Sequence, residues 1–184
     1  MNETETLHEG RFLALLRDGR WEYVTRTNSS GAVFIVAVTA ARELLLVEQY
    51  RVPLRARTIE LPAGMMGDEA RFAGESLADA ALRELEEETG YRGARVESLT
   101  CGPVAAGLTS EMLHLVRVHD LRRVHDGGGV DGEDIVVHRV PLDAVDGWLL
   151  ERASEGRLIE PRIYAALYFV ARDESRTTPA PHTA

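Results

Sequence analysis

The stretch "GESLADAALRELEEETGY", residues 74–91, decides how the rest of the chain is read. It places four glutamates, Glu84, Glu86, Glu87 and Glu88, within five positions of an apparent helix. Like charges three or four residues apart on a helix repel each other. Such a helix is either a solvated acidic face or a scaffold whose carboxylates share a cation. Ser76, with Asp79 three residues on, forms a capping box at the start. Gly90 stands where a left-handed C-terminal cap is wanted, so the helix is predicted over 77–89. With 3.6 residues per turn, Glu84 and Glu88 face the same way and Glu87 lies beside them. Ala78, Ala81, Leu82 and Leu85 make an adjoining apolar stripe. Ala80 leaves the surface before Glu84 open, and Glu86 points to water. Three carboxylates at the edge of a buried face are hard ligands, suited to Mg²⁺ or Mn²⁺.

Outward from this helix, the bulk numbers narrow the possibilities. The chain has 184 residues, enough for one domain with a real core. Its net charge of −9 argues against nucleic acid and anionic membranes as partners. It leaves room for a phosphorylated ligand, because bound cations reverse the local sign. All 21 basic residues are arginine, which removes any lysine Schiff base. One cysteine, Cys101, excludes an internal disulfide and a cysteine-built zinc site; a buried, apolar setting is expected for it. The N-terminal "MNETETLHEG" lacks the apolar core of a signal peptide. No apolar run reaches the roughly 18 residues of a membrane helix. The cytoplasm is the expected location.

Residues 1–10 are expected to be a flexible N-terminus, 11–174 a single domain and 175–184 a disordered tail. Within 11–30, "RFLALLRDGRWEYVTRT" folds as a hairpin about Asp18-Gly19. "AVFIVAVTA" (32–40) and "ELLLVEQYR" (43–51) are strands, paired as an antiparallel meander. "ARTIELPAG" (56–64) is a short strand ending in a turn, and 65–75 is a loop. Strands resume at 95–100, 112–120 and 135–142. Two helices follow, over 143–156 and 157–174. Strands and helices neither strictly alternating nor segregated indicate a mixed α/β or α+β layer fold. The Gly and Asp-rich "DGGGVDGED" reads as a flexible hairpin. It is too short and wrongly spaced for a calcium loop, with Glu133 a second candidate for a general base. The scattered histidines lack a partner at motif spacing.

From Glu75 onward the helix resembles the Nudix box: seven residues, then Arg83-Glu84, an aliphatic, any residue, Glu87-Glu88, any residue, and Gly90 followed by Tyr91. The pattern's opening glycine matches Gly64 of "ELPAG" with ten residues before Glu75 instead of five, an insertion of five residues. "ELPAG", "EQYR" and "GLTSE" resemble the ADP-ribose and nucleotide-sugar pyrophosphatase branch of that family. The resemblance implies an α/β/α sandwich with a mixed sheet and an N-terminal hairpin extension. It also implies a homodimer, two or three Mg²⁺ ions (or Mn²⁺), and hydrolysis of a nucleoside diphosphate linked to another moiety. GDP-mannose, a nucleoside triphosphate or a dinucleotide are alternative substrates, and a non-catalytic ligand sensor is the alternative class. Carried over by residue, Glu84, Glu87, Glu88 and the Ala63 carbonyl hold metal. Arg83 orients the glutamates through charge-assisted hydrogen bonds, and Glu75 supports the cluster. Glu111 positions or deprotonates water, and Arg51 contacts substrate phosphate or sugar. Trp21, with Tyr23, is a candidate for stacking on the base. The inserted loop is expected at the entrance over the leaving sugar.

Overall fold

The computed structural model describes residues 4–29, 31–67, 70–72, 74–130 and 132–177. The chain opens with strands Glu5–Glu9 (β1), Leu13–Asp18 (β2) and Trp21–Arg26 (β3), then runs through Ala32–Ala37 (β4), Glu43–Arg51 (β5), Ala56–Glu60 (β6) and Ala63–Met65 (β7). A 3-10 turn at Ala70–Phe72 precedes helix Leu77–Thr89 (α1). Strands Tyr91–Arg92 (β8), Arg95–Pro103 (β9), Met112–His119 (β10), Arg122–Arg123 (β11) and Ile135–Pro141 (β12) come next. Helix Val145–Ser154 (α2), strand Leu158–Ile159 (β13) and helix Arg162–Thr177 (α3) complete it.

Every residue of β4 is buried, and its alternation explains why. Successive side chains on a strand point to opposite faces. Val33, Ile35 and Ala37 pack with Ala80, Ala81 and Leu85 of α1. Ala32, Phe34 and Val36 pack with Val145 and Leu149 of α2 and with Ile163, Ala166 and Val170 of α3. Helices therefore cover both faces of β4, the α/β/α layering that the family resemblance implies. Each fully buried aliphatic contributes on the order of 1.5–3 kcal/mol of burial energy, so this double cover is the main source of stability.

Two four-stranded sheets share the layer, ordered β7-β4-β10-β9 and β12-β5-β6-β13. Both are mixed: β10 runs parallel to β4 and β13 parallel to β6, while the other neighbours are antiparallel. The expected meander of 32–40 with 43–51 does not form. β4 and β5 lie in different sheets and touch only at the bridge Val38–Leu44. Both strands are too apolar to leave a face in water, and separate sheets let each be covered. "ELPAG" is the corner where the chain crosses between sheets: Glu60 ends β6, Ala63 begins β7, and the Pro62 carbonyl accepts the Ile35 N–H at 2.9 Å. Residues 5–9, expected to be frayed, form β1 and turn the N-terminal hairpin into the three-stranded sheet β1-β2-β3. An Arg17–Glu5 contact at 2.7 Å ties that edge down. The end of the expected tail at 178–184 and the positions Glu69 and Asp131 lie outside the described residues. Among the described residues no helix is long and apolar enough to cross a membrane.

Candidate active site

Helix α1 begins and ends as its sequence dictates. The Ser76 side chain accepts the Asp79 N–H at 3.1 Å, and Gly90 takes the left-handed conformation, its N–H donating to the Glu86 carbonyl. Ala80 is fully buried rather than open, and Ala78 is exposed; the buried stripe lies one position round from the expected one. The acidic edge of that stripe rests on β7. Glu88 is only 5% exposed, and its Oε2 accepts the Ala63 N–H at 3.0 Å. Glu84 lies flat against Gly64, where an added Cβ would sit 1.9 Å from the carboxyl carbon. Only glycine admits that approach, so the first position of the motif and its glutamate-bearing helix are coupled by contact.

Arg83 sits among these carboxylates. Its Nη2 and Nε donate to Glu75 at 2.8 and 3.3 Å, and its Nη1 donates to Glu84 at 2.9 Å and Glu87 at 3.2 Å. Burial works against its charge, but Glu75 and Glu84 outweigh that and hold the guanidinium above its ordinary range. Glu86 is not left to water: its carboxylate pairs with Arg92, whose Nε donates at 2.7 Å. Burial pushes the Glu88 carboxyl well above the usual carboxylate range. The Ala63 N–H opposes this, while the charges of Glu84 and Glu133 add to it. A buried carboxylate amid like charges is the setting a hard divalent cation relieves, and the donors, all carboxylate oxygens, fit Mg²⁺. Among the described residues no three His, Cys, Asp or Glu side chains come together as a group that could by itself hold a metal ion. Mg²⁺ does not need one, since it keeps waters and takes substrate oxygens.

Beside β7 opens a cavity of about 730 Å³. Three arginine–glutamate pairs line it: Arg51–Glu60, Arg26–Glu111 and Arg162–Glu160. The first is bidentate, with distances of 2.7 and 2.5 Å. Burial pushes the Glu60 carboxyl up, but Arg51 and the Thr58 hydroxyl outweigh it and hold Glu60 below the usual range. Phe34, with Arg162 stacked 3.9 Å from its ring centre, and Leu54, Val104 and Leu158 supply apolar walls. Arg51, Glu111, Ala63 and Gly64 thus meet at one cavity, next to the glutamates of α1. The β9–β10 loop carrying Glu111 is held by β3, where the Val24 N–H donates to the Leu108 carbonyl and the Ser110 N–H to the Val24 carbonyl. Arg26, Glu60, Glu160 and Arg162 escaped the sequence reading. Glu60 alone carried a signal, as the first letter of "ELPAG".

Trp21 is not at this cavity. It is 57% exposed and lines a separate recess of about 560 Å³ with Tyr23 and with Ala106, Gly107, Thr109 and Ser110 of the β9–β10 loop. Cys101 is exposed instead of buried, because β9 is the outer strand of its sheet. The glycine-rich stretch is not a free hairpin. The Gly128 and Gly129 N–H groups donate to the Glu88 and Glu87 carbonyls at 2.8 and 3.1 Å, and the Val124 N–H donates to the Gly90 carbonyl at 2.8 Å. The orphan carbonyls of the helix end are satisfied by this loop. A Cβ at Gly127 would meet the Glu88 oxygen at 2.6 Å, so the contact demands glycine. The loop also brings Glu133 close enough for its charge to act on both Glu88 and Arg51.

The family profile described as NUDIX domain matches residues 29–163. A methanol dehydrogenase activator of Bacillus methanolicus is 30% identical over 179 residues, covering 94% of this chain and 92% of its own. An ADP-sugar pyrophosphatase of Mus musculus is 35% identical over 164 residues, covering 79% and 71%. A solved structure described as an ADP compounds hydrolase shares the fold at a TM-score of 0.72 with 22% identity, covering 97% of this chain and 95% of its own. The chain belongs to the Nudix family and is a pyrophosphohydrolase-type enzyme.

Proposed function

We propose that this enzyme hydrolyses the diphosphate of ADP-ribose or a related nucleoside diphosphate sugar, giving a nucleoside monophosphate and a sugar phosphate. The observation that carries the reading is the meeting of two unlike surfaces. The acidic edge of α1 adjoins a cavity ringed by three arginines and apolar walls. A diphosphate suits the first surface, and a hydroxyl-rich sugar or nucleoside suits the second. The similarity to a mouse ADP-sugar pyrophosphatase points the same way.

In this reading Glu84, Glu87, Glu88 and the Ala63 carbonyl would hold Mg²⁺, two or three ions to a site, which would supply Lewis-acid charge neutralisation of the diphosphate and a lowered water pKa. Arg83 and Glu75 keep the carboxylates oriented. Arg51 and Arg26 turn toward the negative substrate, each already poised on a glutamate. Glu111 or Glu133 takes the proton from the attacking water, which strikes the nucleotide-side phosphorus. Glu111 lines the cavity, paired with Arg26, whereas Glu133 accepts the Val130 N–H on the glycine-rich loop and acts on Glu88 and Arg51 through its charge. The chain acts as a homodimer, with exposed Phe12, Leu13 and Trp21 on the N-terminal sheet as the contact.

A panel of ADP-ribose, other ADP- and UDP-sugars, GDP-mannose, nucleoside triphosphates and dinucleotides, assayed with Mg²⁺ and product identification, tests this. AMP and ribose 5-phosphate from ADP-ribose are expected. Binding without hydrolysis across the panel would make the protein a sensor.

A further inference from the structure

The five residues inserted between Gly64 and Glu75 lead to a part of the site not yet accounted for. Of the described residues among 65–75, Met65 lines the large cavity, and the others point to a different role. The loop is anchored at both ends. The Met66 N–H donates to the Gly31 carbonyl at 3.0 Å, and Met66 is buried in the core beside α1. The Gly67 N–H donates to Glu75 Oε1 at 3.2 Å, and the Glu75 N–H donates to the Phe72 carbonyl at 3.0 Å. Between these anchors Phe72 lies against the box helix. There the Phe72 ring centre lies 4.0 Å from the Arg83 guanidinium carbon.

A guanidinium offers donors only in its plane, and its faces bind little except aromatic rings. The in-plane donors of Arg83 meet Glu75, Glu84 and Glu87, with the Met65 carbonyl 3.5 Å from Nη2. Phe72 covers a face. Contact with the π cloud favours the charged group and shields it from water. The guanidinium, 17% exposed, is therefore held in orientation as well as in position.

We propose that Phe72 is a positioning residue: the insertion supplies an aromatic cover that locks Arg83 against Glu84 and Glu87 and so presets the glutamates for metal. The kinetic side of this rests on the Nudix reading above; the orientation of Arg83 does not.

The test uses the full chain and two measurements. By NMR, the Arg83 Nη resonances, assigned by their absence in Arg83→Lys, should be resolved in the wild type because rotation about Nε–Cζ is slow. They should merge in Phe72→Leu and separate again in Phe72→Tyr. By kinetics with Mg²⁺ and ADP-ribose, Phe72→Leu should lower kcat ~3- to 30-fold. KM and the relative rates on different nucleotide sugars should hold within about twofold, Tyr should restore kcat, and the loss should vanish in an Arg83→Ala background. Unchanged Arg83 rotation in a folded Phe72→Leu protein overturns the proposal. So does an equal kcat loss with and without Arg83, which would mark a merely structural role. A changed substrate ratio would return the loop to an entrance function. If the wild type hydrolyses nothing, the functional reading fails, and the NMR result still decides the orientation of Arg83.

Discussion

A methyl group on residue 64 would meet the Glu84 carboxyl carbon at 1.9 Å. Gly64→Ala must therefore push Glu84 off β7. Activity should fall by at least ~10-fold, as when a metal site loses an orienting partner, while the circular dichroism spectrum stays that of the wild type. Glu88 makes a prediction with two signs. Glu88→Gln should cut turnover at least ~100-fold, since a ligand matters more than the outer partners whose loss costs 10–100-fold. In the absence of metal the same change should stabilise the protein. The folded-state pKa of Glu88 is raised above its unfolded value. Its charge is therefore a burden that is absent below the unfolded pKa of about 4.3 and grows as pH rises through the raised one. At pH 7 the metal-free variant should melt roughly 2–4 °C above the wild type, the equivalent of about 1 kcal/mol at this chain length. The gap should close toward pH 4. Mg²⁺ should raise the wild-type melting temperature and leave that of the variant nearly unchanged. Which glutamates gather at one edge of the helix was legible in the sequence, because helical periodicity alone groups Glu84, Glu87 and Glu88. What Glu86 does was not: its partner Arg92 lies beyond the helix, past a glycine whose left-handed turn redirects the chain.

Helix α1 is capped by its own sequence at one end and by a distant loop at the other. Ser76→Ala removes the side-chain acceptor for the Asp79 N–H and should cost about 1 kcal/mol, seen in chemical denaturation, with kcat within twofold. Gly127→Ala is harsher. The residue has φ +75, and its Cβ would lie 2.5–2.8 Å from backbone atoms of Glu88 and Thr89. A permissible glycine-to-alanine change stabilises, but at this positive φ the change should destabilise by more than ~1 kcal/mol, with activity falling alongside. The N-cap follows a local rule and could be read from three letters. The C-terminal seal could not. Nothing within "DGGGVDGED" distinguishes glycines that free a hairpin from glycines that let two backbones touch. That difference depends on what the loop meets.

That β4 is a buried strand was readable from its apolar content, and the α/β/α layering followed from the family resemblance. The division into two sheets was not, since pairing partners of equally apolar strands are chosen by tertiary packing. The short strand β13 was hidden for a related reason: Leu158 and Ile159 borrow their conformation from β6 alongside. The N-terminal sheet matters to the whole molecule through Arg26 and Val24, which hold the loop bearing Glu111. It also presents Phe12, Leu13 and Trp21 outward, all about half exposed. If these form the subunit contact, sedimentation should give twice the chain mass, and Phe12→Asp with Leu13→Asp should give the monomer.

The seal on the helix end also bears on synthesis. Chains emerge N-terminus first and fold as they lengthen. The box glutamates leave the ribosome with Gly90, but the glycines that close their helix arrive only at residues 127–129. Until then Glu87 and Glu88 sit on a helix whose last carbonyls lack these partners. The glutamate-bearing face is thus completed only after the strand β10 between them has been laid down, so a nascent chain stopped before residue 124 should hold divalent cations poorly even though every box residue is present.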